Sequence, residues 1–318
     1  MEKKYPMKMR PFFKDYLWGG TRLKDEYNKK TDLTIVAESW EVSCHPDGPC
    51  VVDNGEFKGQ TLDFVLNQHP GWMGSLCSGF TEFPLLIKLI DSRELLSLQV
   101  HPDDEYARAV DNQAGKNEMW YVAAAKPGAE LILGFNEPLN KNEVRAAIAK
   151  NELMQAVRRI PVSAGDCYRV PAGLLHAVCD GIIIVEVQQN SNLTYRVYDY
   201  DRKDINGNKR ELHVDKAVDV LDTTLNAEKS SGNYLADWKY FKSELVTVKR
   251  DTELNCNDES FQCLVTIEGE LTITNKDSEN PNNFDDQNLK KGETVFIPAG
   301  MGNYTLNGQA KVMLVSMV

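Results

Sequence analysis

The chain has 318 residues, 42% of them hydrophobic and 26% charged, and carries a formal net charge of −11 at pH 7. A chain of this length and composition is expected to be globular and to form two domains, each with its own core. The acidic charge excludes it as a nonspecific binder of nucleic acid or of anionic membranes, because both require a basic surface. If its ligand is an anion, the site must therefore be a local basic patch.

The beginning of the chain and its cysteines predict a cytoplasmic protein. The first residues, MEKKYPMKMRPFF, include basic side chains but no apolar run after them, so no signal peptide is expected. No window approaches the roughly 18 consecutive apolar residues of a membrane-spanning helix. The seven cysteines are odd in number and contain no CxxC pair. This pattern favours reduced thiols over a disulfide framework or a cysteine zinc site.

Strand-like patterns are spread along the whole chain. Short apolar or alternating segments occur at residues 83–90, 94–100, 119–124, 182–189, 261–267 and 310–317. PG, NG and EG dipeptides separate many of them, and such pairs are typical of tight turns between antiparallel strands. We therefore predict a mainly β protein, built from sandwiches or barrels rather than from a parallel α/β sheet.

Helical spacing is limited to four segments, at residues 61–67, 103–111, 141–159 and 213–221. The third segment is the longest, and Asn140 or Asn142 is placed to cap its first turn. Two stretches interrupt the later strands: residues 225–243 are predicted to be a linker, and the polar residues 275–288 a long exposed hairpin loop.

One turn sequence occurs twice. Residues 165–178 read GDCYRVPAGLLHAV, and residues 292–305 read GETVFIPAGMGNYT. Proline fixes one backbone angle and glycine allows the reversal, so both stretches predict a tight corner between two strands. The repeat favours two similar β domains over a chance match. His176 of the first copy aligns with Asn303 of the second.

Four polar side chains form a candidate metal site. If residues 94–101 are a strand, Gln99 and His101 project from the same face. Glu118 begins the next predicted strand, with Lys116 on the same side, and His176 follows the repeated corner. A set of nitrogen and oxygen donors suits zinc. Either histidine alone is better explained as a capping or core residue, and the same structural interpretation is preferred for the remaining histidines, His45, His69 and His213.

The motifs around these residues resemble one enzyme family. FPLLIKLIDSRELLSLQVHPDD, GKNEMWYV, VPAGLLHAV and YRVYDYDR are similar, in this order, to motifs of the type I mannose-6-phosphate isomerases in their short bacterial form. The resemblance covers roughly residues 12–202. It implies two cupin-like jelly-roll or β-barrel domains, the first catalytic and the second without metal. We place them at residues 1–228, with a small helical insertion at about 103–160, and at residues 229–318.

The resemblance also implies roles for individual residues. It implies a zinc ion, one per chain, held by Gln99, His101, Glu118 and His176. It assigns catalytic roles to Arg196, Glu186 and Lys116, and substrate binding to Lys88, Ser97, Arg202, Trp18 and Glu38.

Several of these assignments leave an alternative open. Glu186 is either the base that moves the carbon-bound proton or an inward strand residue with a structural role. Lys116 either pairs with Glu118 or contacts substrate. Lys88, a charge inside an apolar strand, either binds the phosphate or extends its ammonium to solvent.

The function implied is a zinc-dependent isomerase that interconverts mannose 6-phosphate and fructose 6-phosphate through a cis-enediol. Its partner is then a small sugar phosphate, and the chain is a monomer or a weak dimer. A cupin dioxygenase that holds Fe(II) with two histidines and a carboxylate is one alternative. A noncatalytic sugar-binding cupin is the other.

Overall fold

A computed structural model describes residues 3–203, 206–230, 232–275 and 282–318. Within these ranges the chain is mainly β, as predicted. The strands are β1 Met7–Arg10, β2 Phe12–Lys14, β3 Glu38–Val42, β4 Val51–Val52, β5 Leu85–Ser92, β6 Leu98–Val100, β7 Glu118–Ala125, β8 Glu130–Phe135, β9 Val157–Pro161, β10 Cys167–Val170, β11 His176–Val178, β12 Ile182–Gln189, β13 Tyr195–Tyr198, β14 Glu228–Lys229, β15 Tyr234–Trp238, β16 Phe241–Val248, β17 Thr252–Cys256, β18 Gln262–Thr274, β19 Gln287–Lys290, β20 Thr294–Ile297 and β21 Gly302–Ser316. The helices are α1 Arg22–Glu26, α2 Leu62–Gln68, α3 Asp104–Asp111, α4 Lys141–Ala149, α5 Leu153–Ala156 and α6 Val214–Val220, with short 3₁₀ turns at Pro70–Met73 and Ser75–Cys77. No helix among the described residues is long and apolar enough to cross a membrane.

The chain divides into two compact units. We call one the terminal unit, which comprises Met1–Lys14, Thr21–Leu89 and Ser231–Val318. The other is the central unit, which comprises Asp15–Gly20 and Ile90–Ser230. The domain limits at 228 and 229, with an insertion at about 103–160, stay a prediction. Helices α3, α4 and α5 lie in that range, with strands β7 and β8 between them.

The central unit contains two antiparallel sheets. One places its strands in the order β14-β10-β7-β12, and the other in the order β13-β6-β11-β8-β9. Apolar side chains of the second sheet, among them Leu98, Ile132 and Val197, are fully buried in one hydrophobic core with residues of α6. Burial of such side chains is the main favourable term in folding, so this core holds the short strands that carry the polar site residues.

The terminal unit is built around one long antiparallel sheet. Its strands lie in the order β15-β16-β21-β18-β20-β1-β4, with β17 beside β21 and β19 beside β18. The predicted linker at 225–243 contains β14, β15 and the start of β16, so that prediction is wrong. Leu235 and Ala236 are buried as β15 pairs with β16. This tertiary burial overrides the weak strand pattern of the local sequence.

The hairpin-loop prediction at 275–288 falls partly on residues 276–281, which lie outside the described residues. The strands on either side of that stretch, β18 and β19, pair antiparallel, with Ile273 opposite Gln287. Strands β18 and β19 therefore form an antiparallel pair, and the long exposed loop between them stays a prediction.

The predicted helix at 141–159 is shorter than its sequence pattern indicates. Helix α4 ends before Asn151, which adopts a left-handed backbone angle (φ 58°). After the short helix α5, residues 157–161 form strand β9 and pair with β8. Pairing with a neighbouring strand therefore replaced the last turn of the predicted helix.

The first turn of α4 provides a test of capping. The Asn140 side chain accepts hydrogen bonds from the backbone N–H groups of Asn142 and Glu143, and Glu143 bonds back to the Asn140 N–H. We expect Asn140→Ala to lower the free energy of unfolding by about 1 kcal/mol, because the cap satisfies N–H groups that have no partner inside the helix. Asn142→Ala is the matched control and should change it by less than about 0.5 kcal/mol. Urea denaturation measures both, and equal losses would contradict the assignment of the cap.

The repeated corner has the same backbone geometry in both copies. Gly173 and Gly300 have φ angles of 86° and 72°, which favour glycine, at the end of each Pro-Ala-Gly sequence. The Gly173 N–H donates to the His101 carbonyl (2.9 Å), and the Gly300 N–H to the Asn257 carbonyl (2.7 Å). The second copy thus places an asparagine where the first has a histidine.

Candidate metal centre

Three buried side chains meet in the central unit. His101 follows β6, Glu118 begins β7 and His176 begins β11. Their ligand atoms lie within 4.8 Å of one another. The two Nε2 atoms are 3.1 Å apart, and Glu118 lies 3.4 Å from His101 Nε2 and 3.8 Å from His176 Nε2. Within the described ranges this is the one group of at least three histidine, cysteine or acidic side chains close enough to share an ion.

Strand register explains why these residues meet. His176 lies opposite Gln99 where β11 pairs with β6, and Val170 lies opposite Glu118 where β10 pairs with β7. The corner between β10 and β11 is held by Asn117, whose side-chain oxygen accepts the Ala172 N–H (2.9 Å). The corner thereby joins the two strand pairs and brings their polar residues together.

The protonation states suit a metal ligand set. His176 Nδ1 lies 2.8 Å from the Leu174 carbonyl and donates to it, which leaves Nε2 as the lone-pair atom facing the site. Burial lowers the pKa of His176. Burial and, after it, the Lys116 ammonium lower the pKa of His101 to about 3. Both rings are therefore neutral at pH 7.

Glu118 is ionised in the same environment. Burial raises the pKa of this carboxyl, but the Lys116 ammonium, acting together with His101 and His176, outweighs burial and holds the pKa well below its ordinary value. Lys116 Nζ lies 2.6 Å from Glu118 Oε1 and 3.2 Å from His101 Nε2. No described residue completes a hydrogen bond to Glu118 Oε2, which is fully buried.

These donors fit a bound cation. Two neutral imidazoles and one carboxylate are the forms that bind metal ions, and a buried carboxylate oxygen without a hydrogen bond is costly unless it receives a partner. The Lys116 ammonium already places a positive charge against this donor set. The Gln99 amide lies 3.4 Å from His176 Nε2 through its nitrogen, and rotation of the amide exchanges that nitrogen for its oxygen. All four sequence-predicted ligands therefore lie together.

Arg196 and Ser97 extend the polar site. Arg196 lies opposite Gln99 across the β13–β6 pair, and its Nε is 3.3 Å from Ser97 Oγ. Ser97 Oγ in turn lies 3.3 Å from Gln99 Oε1. Burial, followed by the charge of Arg210, lowers the pKa of Arg196. These contacts place a cationic guanidinium beside the candidate metal ligands.

Glu186 contacts the site indirectly, by way of the Trp120 ring. Its Oε2 accepts a hydrogen bond from the Trp120 indole (2.8 Å), and the two residues lie opposite each other on β12 and β7. The Trp120 ring packs edge-on against the His176 ring, with centroids 5.2 Å apart. Glu186 therefore has a structural contact, and its role in proton transfer stays a prediction.

The remaining sequence-predicted residues fall in two places. Trp18 and Arg202 line a cavity of about 230 Å³ in the central unit. Lys88 and Glu38 lie in the terminal unit, where Lys88 Nζ is 3.7 Å from Glu38 Oε2 and 5.2 Å from the Trp40 ring centroid. Lys88 is buried beside this carboxylate, so the structure does not support a solvent-extended ammonium. Their assignment to substrate stays a prediction.

Sequence reasoning missed several residues of this region. Trp120 had no signal beyond an apolar strand, although it supports both His176 and Glu186. The sequence predicts only a capping or core role for His213, but its Nδ1 also accepts the Arg196 backbone N–H (3.3 Å). Arg210 has no sequence signal, because a single arginine in a polar loop has no periodicity to distinguish it.

The terminal unit has four positions equivalent to those of the donor set, but none of the four holds a charged side chain. Asn255 lies opposite Asn303, as Gln99 lies opposite His176, and Gln262 lies opposite Ile297, as Glu118 lies opposite Val170. With Asn257, which takes the place of His101, the four counterpart positions hold Asn255, Asn257, Gln262 and Asn303. These four carboxamides include neither an imidazole nor a carboxylate, so these residues do not repeat the metal site.

Comparisons with known proteins agree with this geometry. Residues 7–134 match the catalytic domain of the type I phosphomannose isomerases, and residues 230–317 match the cupin domain of the mannose-6-phosphate isomerases. The mannose-6-phosphate isomerase ManA of Bacillus subtilis is 35% identical, over 97% of this chain and 98% of its own.

A further relative and a solved structure show the same similarity. The mannose-6-phosphate isomerase of Streptococcus mutans is 45% identical over 64% of each chain. A crystal structure of the mannose 6-phosphate isomerase from Bacillus subtilis is similar over 100% of both chains, with a TM-score of 0.88 and 35% identity.

Proposed function

Because this chain belongs to the type I phosphomannose isomerase family of aldose–ketose isomerases, we propose that it interconverts mannose 6-phosphate and fructose 6-phosphate. We further propose that it does so with one zinc ion and through a cis-enediol. The observation that carries the proposal is the buried set His101, Glu118 and His176, whose ligand atoms converge within 4.8 Å.

The donor set supports zinc as the cofactor. Neutral imidazole nitrogens, a carboxylate and an amide oxygen suit this ion, and Gln99, His101, Glu118 and His176 would hold it. When bound, zinc supplies a positive charge beside the oxygens on which negative charge develops. The hydrogen bond from His176 Nδ1 to the Leu174 carbonyl keeps the ring in the orientation that ligation requires.

Arg196 is proposed to stabilise the negative charge of the enediol. Its guanidinium is fixed by two hydrogen bonds: Nε donates to Ser97 Oγ (3.3 Å), and Nη1 donates to the Glu211 carbonyl oxygen (2.8 Å). A cation fixed before the reaction need not reorganise when charge develops, which is the main source of electrostatic catalysis. The fixed guanidinium of Arg196 can therefore stabilise the developing negative charge better than the guanidinium of an exposed, mobile arginine.

Glu186 and Lys116 are the proposed participants in proton transfer. The reaction moves a proton between C1 and C2, so a base must reach a carbon-bound hydrogen. Glu186 is a buried carboxylate whose orientation is set by the Trp120 indole. Lys116 keeps Glu118 ionised through their 2.6 Å ion pair and stands at the site as a proton donor.

Substrate binding is proposed for Lys88, Ser97, Arg202, Trp18 and Glu38 on the family resemblance. We also infer a cytoplasmic location, which is supported by the free thiol state of all seven cysteines. A monomer or weak dimer remains our proposal for the oligomeric state.

The proposal is tested by removing and restoring the metal. We expect chelation to lower the turnover of mannose 6-phosphate, followed as fructose 6-phosphate, by more than about 100-fold, because the charge supplied by the ion is lost. Stoichiometric zinc should restore it. Turnover that survives complete metal removal would overturn the zinc assignment, and its absence in the zinc-loaded enzyme would overturn the isomerase assignment.

The same preparation separates the isomerase from an Fe(II) dioxygenase. Two histidines and a carboxylate also fit iron, so the iron-loaded protein is the matched control. It should consume no oxygen in the presence of the sugar phosphate. Oxygen consumption that depends on iron would favour the dioxygenase.

A further inference from the structure

We propose that Arg210, together with Arg202, binds the phosphate group of the substrate, and that Asp199 is the positioning residue that holds both guanidinium groups. This inference rests on the proposed function and adds to it the residues that recognise the anion. Arg210 lies outside the part of the chain, residues 12–202, that carries the motif resemblance.

The two arginines line one cavity of the central unit. It measures about 230 Å³, and its walls include Trp18, Lys203 and the exposed Asp15. Arg202, Lys203 and Arg210 outnumber the acidic side chains Asp15 and Asp199, so the cavity is locally cationic. In a chain with a net charge of −11, a dianionic phosphate ester requires a local basic patch of this kind.

Asp199 forms ion pairs with both guanidinium groups. Arg202 contacts Asp199 Oδ1 at 2.5 Å, and Arg210 contacts Oδ1 and Oδ2 at 2.5 and 2.7 Å. Arg202 also donates to the Leu95 carbonyl (2.6 Å). One carboxylate cannot neutralise two guanidinium groups, and these contacts leave N–H donors on both of them. Guanidinium groups fixed in this way match the oxygens of a phosphate.

Asp199 is followed by a strained turn, which leads to Arg202. Tyr200 and Asp201 are consecutive non-glycine residues in the left-handed region, with φ angles of 56° and 53°. The turn returns the Arg202 N–H to the Asp199 carbonyl (3.1 Å) and places the Tyr200 ring 5.2 Å from the Arg202 guanidinium. Such strain persists where the surroundings impose it, and it is concentrated at ligand-binding sites.

The loop that carries Arg210 also contacts the proposed catalytic arginine. Arg196 donates to the carbonyl of Glu211 (2.8 Å), and the His213 N–H donates to the Arg196 carbonyl (2.7 Å). Arg210 therefore lies next to the segment that holds Arg196 in place. A sugar phosphate whose reacting carbons lie near Arg196 has its phosphate at the opposite end, so a separate cationic cavity on the same unit is the expected arrangement.

The test compares Arg210→Gln with Lys209→Gln. Lys209 is the neighbouring cation, is exposed and pairs with Asp201, but it does not line the cavity. For Arg210→Gln we expect the KM for mannose 6-phosphate and the Kd for inorganic phosphate to rise about 10-fold to 100-fold, because a charge-assisted contact is lost. kcat should change by less than about threefold, and Lys209→Gln should change none of these values appreciably.

The two readouts keep this proposal separate from the proposed function. Calorimetric titration of the zinc-loaded enzyme with inorganic phosphate does not depend on turnover. Weaker phosphate binding by Arg210→Gln supports the subsite even if mannose 6-phosphate is not isomerised. Unchanged phosphate affinity and unchanged KM, in an enzyme that does isomerise, overturn it.

A purely structural role for Arg210 predicts a different result. If the Arg210–Asp199 ion pair only stabilises the loop, its loss would lower Tm and kcat while leaving the phosphate Kd unaltered. If Arg210→Gln does not fold, Arg210→Lys keeps the charge but not the two-pronged contact with Asp199. It should then raise the phosphate Kd about threefold to tenfold, and an unchanged Kd would again reject the subsite.

Discussion

Replacement of His176 by alanine is expected to remove the bound metal and to lower kcat/KM for mannose 6-phosphate by at least about 10³-fold, or about 4 kcal/mol. The ring is fully buried, its Nδ1 is committed to the Leu174 carbonyl, and its Nε2 faces His101 Nε2 at 3.1 Å. Alanine therefore removes one of the two imidazole donors and leaves nothing to replace it. Metal content per chain and steady-state kinetics measure the effect.

The repeated corner supplies the matched control. Asn303 occupies the position of His176 in the second copy and lies opposite Asn255, so Asn303→Ala changes the equivalent strand position of the terminal unit. We expect this variant to keep one metal per chain and a kcat/KM within about twofold of the unchanged enzyme. If His176→Ala retains its metal and activity, or if Asn303→Ala loses them, the assignment of the metal to the first copy is wrong.

Replacement of Arg196 by alanine is the second large effect that we expect. kcat should fall by about 10² to 10³-fold, while the metal content stays at one per chain, because a fixed cation beside a developing negative charge contributes on that scale. The loss should appear in kcat more than in KM, since the interaction strengthens in the transition state. Arg196→Lys keeps the charge without both contacts to Ser97 and the Glu211 carbonyl, and it should give an intermediate rate.

A different arginine controls for loss of charge alone. Arg145 of helix α4 is partly exposed and pairs only at 3.9 Å with Asp215, so Arg145→Ala should leave kcat within about twofold. If Arg196→Ala lost the metal together with its activity, Arg196 would be a support for the metal site rather than a catalytic residue. An unchanged kcat would remove it from the mechanism.

Part of the candidate ligand set was predictable from sequence spacing, because two of its members are close together in the chain. Gln99 lies in β6 and His101 immediately follows it, and a spacing of two residues along a strand places both side chains on one face. His176 follows a Pro-Ala-Gly corner whose glycine has a φ of 86°, a geometry that this tripeptide favours. Within the described residues, the structure places His101 and His176 with Glu118 in one buried cluster, and the partly buried Gln99 amide beside it.

The four counterpart positions of the terminal unit were only partly visible in the sequence. The alignment of the two corners identified Asn303, but Asn255, Asn257 and Gln262 share no motif with Gln99, His101 and Glu118. Strand register made them recognisable, since Gln262 lies opposite Ile297 as Glu118 lies opposite Val170. Register depends on pairing between distant segments, which residue types alone do not specify.

By itself, the sequence determined the mainly β class, the repeated corner and the placement of Gln99 and His101 on one face, because each depends on residues that are neighbours along a strand or turn. Tertiary structure alone decided the end of helix α4, the strands at 228–229 and 234–238, and the pairing of Arg210 with Asp199. These features depend on contacts between separate segments of the chain, whose burial and pairing outweigh local propensity.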